Sequence, residues 1–112
     1  MKGFTIEKMQ EMQKQMHEKH KNVWGGLSPD KAIQKMLWLH GELGEASDII
    51  KKKGNDKILN DIPTRERFIE EMCDVLMYYN DVLICYNVTE SEIEKAYTQK
   101  FKTNLTRTFN KE

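Results

Sequence analysis

The chain has 112 residues, of which 38% are hydrophobic and 32% charged, enough for one domain with a single core but not for two. Its 18 basic and 18 acidic residues cancel, so no overall field attracts the protein to a nucleic acid polymer or an anionic membrane. No apolar run approaches the roughly 20 residues of a membrane span, and the N-terminus lacks the apolar centre of a signal peptide. The composition predicts a cytoplasmic protein whose chemistry depends on local charge.

Helix signals divide the chain into four predicted helices. They cover residues 5–21, 29–53, 64–86 and a last segment that begins at Thr89. Thr5 can cap the first helix, Gly54 ends the second, and Asn87 can end the third. No segment shows sustained period-two alternation, so the prediction is a single all-α domain, like a four-helix bundle, in which the second and third helices pack antiparallel.

The start of the fourth helix has the clearest local signal. Thr89 and Glu92 have the spacing of a capping box, and Val88 and Ile93 have that of a hydrophobic staple. An apolar stripe follows along this helix: Ile93, Ala96, Tyr97, Phe101, Leu105 and Phe109.

The two central helices carry apolar residues on more than one side. On the second helix, Trp38, Glu42, Glu45 and Ile49 line up on one side, and Ile33, Leu37, His40 and Gly44 on another. On the third helix, the predicted core face is Phe68, Met72, Val75, Tyr79, Val82 and Tyr86, and an adjoining stripe carries Arg67, Glu71, Asp74, Tyr78 and Asp81. A monomer of this size should not need to bury so much apolar surface, which predicts a homodimer or homotetramer.

Two pairs of carboxylates lie on these helices, each pair three residues apart: Glu42 with Glu45, and Glu71 with Asp74. Residues three apart share a helix face, with about 5 to 6 Å between Cβ atoms, so each pair can hold one hard cation or bridge two. If the helices are neighbours, four carboxylates meet in one pocket, where divalent ions would neutralise their repulsion. Oxygen ligands favour Mg²⁺, or Mn²⁺, over zinc or copper. The alternative is that these acids form surface salt bridges.

Sulfur-containing residues are predicted to be structural. Cys73 and Cys85 lie twelve residues apart in one helix, too far to form a disulfide with each other, and are expected to be reduced thiols of the core. Met9, Met12 and Met16 recur at helical spacing in the first helix, a pattern that is more typical of core packing than of a binding surface.

With these motifs the chain resembles the MazG-like family of all-α nucleoside triphosphate pyrophosphohydrolases. That family carries Glu-x-x-Glu on one helix and Glu-x-x-Asp on the next, which here read GELGE (Glu42, Glu45) and EEMCD (Glu71, Asp74). The resemblance extends from about Trp24 to Phe109. It implies a MazG-type bundle in which the four carboxylates bind Mg²⁺.

The resemblance also implies roles for other side chains. Family members often have Lys, Asn and Arg along the last helix to bind phosphate, and Lys100, Asn104 and Arg107 fall here at i, i+4 and i+7. Residues implied to contact the nucleotide are Tyr78, Trp24 and His17, with Asp81 a weaker candidate for metal or ribose. The alternatives are a solvated basic face for the first set, and for the second set core packing of the aromatic residues and an exposed histidine.

The activity implied by the resemblance is hydrolysis of (deoxy)nucleoside triphosphates to the monophosphate and pyrophosphate, as nucleotide-pool housekeeping. Mg²⁺ bound to the acids would activate a water, which Glu45 would orient for attack at the α-phosphorus, in a pocket near a subunit interface. A dUTP- or dCTP-specific pyrophosphatase and a phosphoribosyl-ATP pyrophosphohydrolase share the acid layout and stay open, and the residues identify no base.

Two other classes compete with this interpretation. A di-iron carboxylate bundle usually needs Glu-x-x-His on two helices, and no such motif occurs in the chain, whose histidines are His17, His20 and His40. A helical partner-binding module without enzymatic activity would use the methionine-rich first helix as an adaptable surface. Such a module should gain no stability from Mg²⁺ and hydrolyse nothing.

Overall fold

The computed structural model describes residues 3–107, and all the regular secondary structure within that range is helical. Four helices are long: α1 (Ile6–Lys19), α3 (Ala32–Lys53), α5 (Ile62–Cys85) and α6 (Glu90–Thr106). Two are short, α2 (Lys21–Trp24) and α4 (Asn55–Asn60), and a 3₁₀ turn at Pro29–Lys31 leads into α3. The all-α prediction is confirmed, whereas the count of four omits α2 and α4. Phe109, in the predicted stripe of the last helix, lies outside the described residues.

Side-chain caps mark the start of three long helices. The hydroxyl of Thr5 accepts a hydrogen bond from the Lys8 amide at 3.0 Å at the start of α1. At the start of α6 the predicted capping box is present, because Thr89 caps the Glu92 amide while the Glu92 carboxylate accepts from the Thr89 amide at 2.9 Å. α5 begins at Ile62 rather than at Thr64, because the preceding Asp61 is its cap and accepts from the Thr64 amide at 3.2 Å.

The end of α5 is a Schellman motif. Asn87 adopts a left-handed conformation at φ 57°, which asparagine tolerates better than most residues. The amide of Val88 then donates to the carbonyl of Leu83 at 2.9 Å, and the amide of Asn87 donates to that of Ile84 at 3.0 Å. These bonds satisfy the last carbonyls of the helix and turn the chain toward α6.

α3 and α5 form the most extensive helix pair of the described chain, and they are antiparallel. Trp38 near the start of α3 contacts Tyr78 in the second half of α5, whereas Glu42, one turn later in α3, contacts Glu71, two turns earlier in α5. The predicted antiparallel packing of the two carboxylate-bearing helices is confirmed. Their facing surfaces therefore bring the two acid pairs to the same level of the bundle.

The stripe of α5 that packs inside the chain is the acidic one, so the predicted core face is wrong in part. Asp81 and Cys85 are buried, and Glu71, Asp74 and Tyr78 are half-buried. From the predicted core face, by contrast, the exposed residues are Met72, Tyr79 and Tyr86. The reason is that within one chain α5 packs mainly on α3 and α1, which cover its acidic side and leave much of its apolar side open.

α1 packs on α5 through polar side chains and the half-buried Met9, so the prediction of a methionine core is wrong for Met12 and Met16. Gln10, Gln13 and His17 are buried, whereas Met12 and Met16 are exposed. The buried glutamines are stabilised by hydrogen bonds, since the side-chain amide of Gln10 donates to the Val88 carbonyl at 3.2 Å. Polar groups can occupy this interface because they find partners there.

The two cysteines are both free, as predicted, but only one belongs to the interior. Cys85 is buried, and burial raises the pKa of its thiol. Cys73 is exposed, so its prediction as a core thiol is wrong. It lies at a small apolar groove beside α1 that Phe4 and Met12 also line.

The described chain leaves much more surface in solvent than a closed domain of its mass. Its accessible area is 9029 Å² at 13.3 kDa, whereas a compact monomer of that mass exposes about 6,500 Å². The radius of gyration is 17.0 Å, against about 13 Å for a compact domain of this length. α6 accounts for part of the difference, because residues 94–107 are all exposed. None of the described helices combines the length and the apolar character needed to cross a membrane.

Candidate functional site

Three of the four predicted metal ligands come together between α3 and α5. Carboxylate oxygens of Glu42, Glu45 and Glu71 all lie within 4.8 Å of one another. Glu42 and Glu71 are half-buried, and Glu45 is exposed at the rim. The antiparallel helix pair thus converts residues that are 26 to 29 positions apart in sequence into one acidic cluster.

The environment of the acidic cluster destabilises the ionised form of Glu42. Partial burial, and after it hydrogen bonding with the Glu71 side chain, raise the pKa of Glu42 to about 7, and the charges of Glu45 and Asp74 act in the same direction. The Oε1 atom of Glu71 is buried and has no hydrogen-bond partner among the described residues. A buried oxygen without a donor is an unfavourable state that a bound cation or a proton would relieve.

Asp74, the fourth predicted ligand, lies beside the cluster rather than within it. Its carboxylate is not among the three mutually close groups, although its charge raises the pKa of Glu42. Asp74 instead lines, together with Glu42, a large cavity of the described chain. It therefore connects the acids to that cavity.

This cavity has a volume of about 570 Å³, within the range of about 300 to 1,000 Å³ typical of small-molecule sites. Acids line it at Glu42 and Asp74, and Asp81 lies two turns further along α5. The seven residues from Asp74 to Asp81 correspond to about 10 Å of helix axis. The cavity therefore has an acidic region near Asp74 and a second polar region about 10 Å away.

The second polar region is a buried network around Asp81. The carboxylate Oδ1 of Asp81 accepts a hydrogen bond from the Gln13 side-chain amide at 2.8 Å, and His17 Nε2 lies 3.2 Å from the same oxygen. This contact is a hydrogen bond when the hydrogen of the imidazole is on Nε2. His17 Nδ1 is buried and has no hydrogen-bond partner within residues 3–107, so an unpartnered polar atom lies in the wall of the cavity.

Trp24 packs against two histidines at this side of the cavity. Its ring centroid lies 5.2 Å from that of His17, edge to face, and 4.4 Å from that of His20. The loop that follows is held by Lys31, whose ammonium donates to the Trp24 carbonyl at 2.9 Å. Gly25 adopts φ 84°, and a Cβ atom there would approach the Lys31 ammonium to 2.6 Å. The glycine thus permits the contact that anchors the tryptophan.

Lys35 is a functional candidate that the sequence patterns did not identify. It lines the same cavity, only 9% of the residue is exposed, and its ammonium lies 4.7 Å from the Trp38 ring centroid and 5.9 Å from that of Tyr78. No carboxylate of the described residues forms an ion pair with it. An unpaired ammonium beside aromatic faces in a cavity wall is a favourable position for an anionic ligand.

A signal for Lys35 was present in the spacing. Lys35 lies seven residues before Glu42 and eleven before Ala46, which places it on the same helix face as both. Gln13, four residues before His17, was identifiable by the same periodicity but would have needed the α1–α5 pairing to be known. Trp38 was assigned to the correct side of its helix, and its ring contacts Tyr78 at 5.8 Å between centroids.

A second cavity, of about 350 Å³, also reaches the acid cluster. It shares Trp38, Glu42 and Tyr78 with the larger cavity and adds Leu37 and Glu45. Acids of the cluster therefore line two cavities, of which the second also contains the exposed apolar side chains of Leu37 and Trp38.

The three predicted phosphate-binding residues lie elsewhere within one chain. Lys100, Asn104 and Arg107 are exposed on α6 or at its end, and α6 contributes to neither cavity. Nor does α6 pack along α3 or α5. The predicted nucleotide-contacting residues, by contrast, all line the large cavity: Tyr78, Trp24 and His17.

Compared with known protein families, with characterised proteins and with solved structures, this chain matches none. The assignment of a function to the site depends on the residues that form it.

Proposed function

We propose that this protein hydrolyses (deoxy)nucleoside triphosphates to the monophosphate and pyrophosphate with Mg²⁺, in the manner of the MazG-like enzymes that its acid motifs resemble. The observation that carries the proposal is the junction of the acidic cluster with the 570 Å³ cavity through Glu42 and Asp74. Such a site can hold metal-bound phosphates at one end and a ring system at the other. The MazG-type bundle topology and the role in nucleotide-pool housekeeping are part of this proposal.

The donor set fits Mg²⁺, with Mn²⁺ as the alternative. Glu42, Glu45 and Glu71 offer only oxygen atoms, which hard divalent cations prefer, and the unpartnered Oε1 of Glu71 needs an electropositive neighbour. Asp74 would complete the set from the cavity side. When bound, Mg²⁺ polarises the phosphates and makes a water more acidic.

Glu45 is the residue proposed to orient the attacking water. It is the exposed member of the cluster, so water has access to its carboxylate, and its oxygen lies close to those of two other acids. In the proposed step the water oxygen bonds to the α-phosphorus and the bond from that phosphorus to the bridging α–β oxygen breaks. The water proton passes to Glu45, and pyrophosphate leaves with the bridging oxygen.

Lys35 is proposed to contact phosphate oxygens from the side opposite to the acids. The seven residues from Lys35 to Glu42 correspond to about 10 Å of helix axis, which leaves room for a phosphate chain between the two charges. A buried ammonium placed before the substrate arrives stabilises negative charge without reorganisation. This role supplements the one that the resemblance gives to Lys100, Asn104 and Arg107.

The base is proposed to lie between the aromatic residues of the large cavity. Trp24 and Tyr78 offer ring faces or edges, and the lone pair of His17 Nδ1 can accept a hydrogen bond from a ring N–H or an amino group. Asp81 is engaged by Gln13 and His17, which favours a role in holding His17 over direct binding of metal or ribose.

The proposal includes assembly into a homodimer or homotetramer. The described chain exposes about 2,500 Å² more than a compact monomer of its mass. Two copies that each bury this excess would form an interface in the range of about 2,000 to 5,000 Å² that is typical of obligate homodimers. Exposed apolar residues of α3 and α5, such as Ile33, Leu37 and Leu76, support the same conclusion.

Three other functions stay as alternatives, two of them narrower and one of a different class. A dUTP- or dCTP-specific pyrophosphatase and a phosphoribosyl-ATP pyrophosphohydrolase would use the same acid cluster with another ligand in the cavity. A helical partner-binding module is favoured by the exposure of Met12 and Met16, but it gives no reason for three carboxylates within 4.8 Å of one another.

The position of bond cleavage tests the proposed reaction. Hydrolysis in H₂¹⁸O should place the label in the nucleoside monophosphate and leave the pyrophosphate unlabelled, because water attacks the α-phosphorus. Glu45→Gln should abolish the release, while Glu94→Gln, at an exposed position of α6, should not. Orthophosphate as the product, or label in the pyrophosphate, would contradict the proposed step.

A further inference from the structure

Sulfur-containing side chains line the small groove between α1 and α5. The groove has a volume of about 90 Å³, and four of the residues that line it are Met9 and Met12 of α1 and Cys73 and Met77 of α5. Residues three or four apart share a helix face, so each helix brings two sulfur-containing side chains to the groove. One thiol and three thioethers therefore line one small space.

One of these sulfur atoms is held in place by a buried amide. Asn80 is fully buried, and its side-chain amide donates to Met9 Sδ at 3.4 Å and to the Leu76 carbonyl at 3.0 Å. Asn80 also lines the groove, and its Oδ1 atom is buried without a hydrogen-bond partner within residues 3–107. An electropositive group bound in the groove would relieve this unfavourable state.

The other three sulfur-containing side chains are accessible from solvent. Cys73 is exposed, and Met12 and Met77 are 55% and 47% exposed. A methionine side chain is unbranched and has three rotatable bonds, so both thioethers can move toward an ion in the groove. An ion can therefore enter from solvent without separation of α1 from α5.

The donor atoms determine which ion fits the groove. Among the described residues no carboxylate and no imidazole lines it, so it lacks the oxygen ligands of Mg²⁺. With a single thiol it also lacks the set of Cys and His ligands that a zinc site needs. Thiolate and thioether sulfur are soft donors, which select Cu(I). α5 thus presents oxygen donors toward α3 and sulfur donors toward α1, for two different classes of cation.

We infer that this groove is a binding site for Cu(I), with one thiolate and three thioethers as ligands: Cys73, Met9, Met12 and Met77. The Cys73 thiol loses its proton to solvent when the metal–sulfur bond forms. Because the ligands come from both helices, the bound ion joins α1 to α5. The inference is independent of the proposed function, since none of these side chains belongs to the acid cluster.

Competition with a chromophoric Cu(I) chelator in anaerobic buffer tests the site. Wild type should take up one Cu(I) per chain. The double variant Met9→Leu with Met12→Leu keeps the thiol and nearly the same side-chain volumes, but it should bind Cu(I) at least about tenfold more weakly. Cys73→Ser should weaken binding by at least the same factor.

The matched control is the double variant Met36→Leu with Met72→Leu. Both methionines are exposed and neither lines the groove, so this variant should bind Cu(I) like wild type. Two results would overturn the inference. One is the absence of Cu(I) uptake by wild type, and the other is a Met9→Leu and Met12→Leu variant that binds Cu(I) as tightly as wild type, since the ligand would then be a lone thiol.

Nuclear magnetic resonance of protein labelled with ¹³C at the methionine methyl groups tests the thioether ligands without any substitution in the groove. Ag(I) serves as the probe, because it shares the preference of Cu(I) for sulfur and is stable in air. The methyl resonances of Met9, Met12 and Met77 should shift on addition of one equivalent of Ag(I). Those of Met36 and Met72 should stay in place, and shifts of the same size in both groups, or in neither, would contradict the assigned ligands.

Discussion

The ammonium of Lys35 lies 4.7 Å from the ring centroid of Trp38 and has no ion-pair partner within residues 3–107, and the residue as a whole is nine-tenths buried. An unpaired cation on a largely buried side chain costs free energy, and the aromatic faces of Trp38 and Tyr78 offset only part of that cost. The arrangement is explained if the cavity binds an anion.

Lys35→Met is expected to weaken substrate binding and leave the fold intact. Methionine keeps the length and apolar packing of the side chain while it removes the charge, so kcat/KM should fall by about 10- to 100-fold, the loss of one charge-assisted contact to phosphate. The free energy of unfolding should stay constant or increase. Steady-state kinetics and urea denaturation measure both quantities, with Lys51→Met, on the exposed last turn of α3, as the control. A variant with wild-type kcat/KM would exclude Lys35 from the site.

In the metal-free protein, the carboxyl of Glu42 should make the free energy of unfolding depend on pH. Its pKa is raised from 4.5 to about 7 in the folded chain, so between these values the folded state holds a proton that the unfolded state has lost. The free energy of unfolding should therefore fall as pH rises from 4.5 toward 7. Glu42→Gln should flatten this part of the profile, whereas Glu66→Gln, at an exposed position near the start of α5, should not.

Mg²⁺ should reverse this trend, because it competes with the proton for Glu42. We expect the thermal stabilisation by Mg²⁺ to be larger at about pH 8 than at about pH 6, since ligand carboxylates must be deprotonated. Differential scanning fluorimetry of wild type and Glu42→Gln measures this effect. Equal stabilisation of the two proteins at both pH values would contradict the assignment of Glu42 as a ligand.

The Asp81 network should stabilise the α1–α5 interface. Asp81→Ala leaves the buried donors of Gln13 and His17 without an acceptor, which should reduce the free energy of unfolding by about 1 to 3 kcal/mol. A double-mutant cycle with Gln13→Ala, followed by urea denaturation, should show a coupling of at least about 0.5 kcal/mol, because the two side chains share a hydrogen bond. Purely additive losses would mean that the 2.8 Å contact contributes nothing.

Alanine substitutions at Gly25 and Gly26 can be compared to test how Lys31 holds the loop after Trp24. Both have positive φ, at 84° and 77°, so alanine at either position should cost about 1 kcal/mol for the left-handed backbone. Only at Gly25 does the added Cβ meet the Lys31 ammonium. Gly25→Ala should therefore lose more stability than Gly26→Ala in urea denaturation and should alter Trp24 fluorescence; equal effects would contradict the anchoring role of Lys31.

The local signals of the sequence predicted the helices well. Helix caps and helix-breaking residues act within about four residues of the chain. For that reason the sequence predicted the capping box at Thr89, the end of α5 near Asn87 and the end of α3 at Gly54. The carboxylate pairs were readable too, because a three-residue spacing on two neighbouring helices leaves few arrangements other than a shared cluster.

Features that depend on contacts between residues far apart in the sequence could not be predicted from local signals. Hydrophobicity predicted an apolar core face for α5 and a methionine core for α1, whereas the buried sides are polar, because Gln13 and Asp81 form a hydrogen bond across 68 residues. The burial of Lys35 likewise depends on Trp38 and Tyr78, which come from two helices.

Pyrophosphate release from a panel of ribo- and deoxyribonucleoside triphosphates, each with Mg²⁺, Mn²⁺ or EDTA, tests the central claim most directly. The proposed site predicts release of pyrophosphate and nucleoside monophosphate from at least one nucleotide with Mg²⁺, none with EDTA, and none from Glu45→Gln. Absence of release from every nucleotide, with the protein folded by circular dichroism and metal present, would contradict the proposed activity.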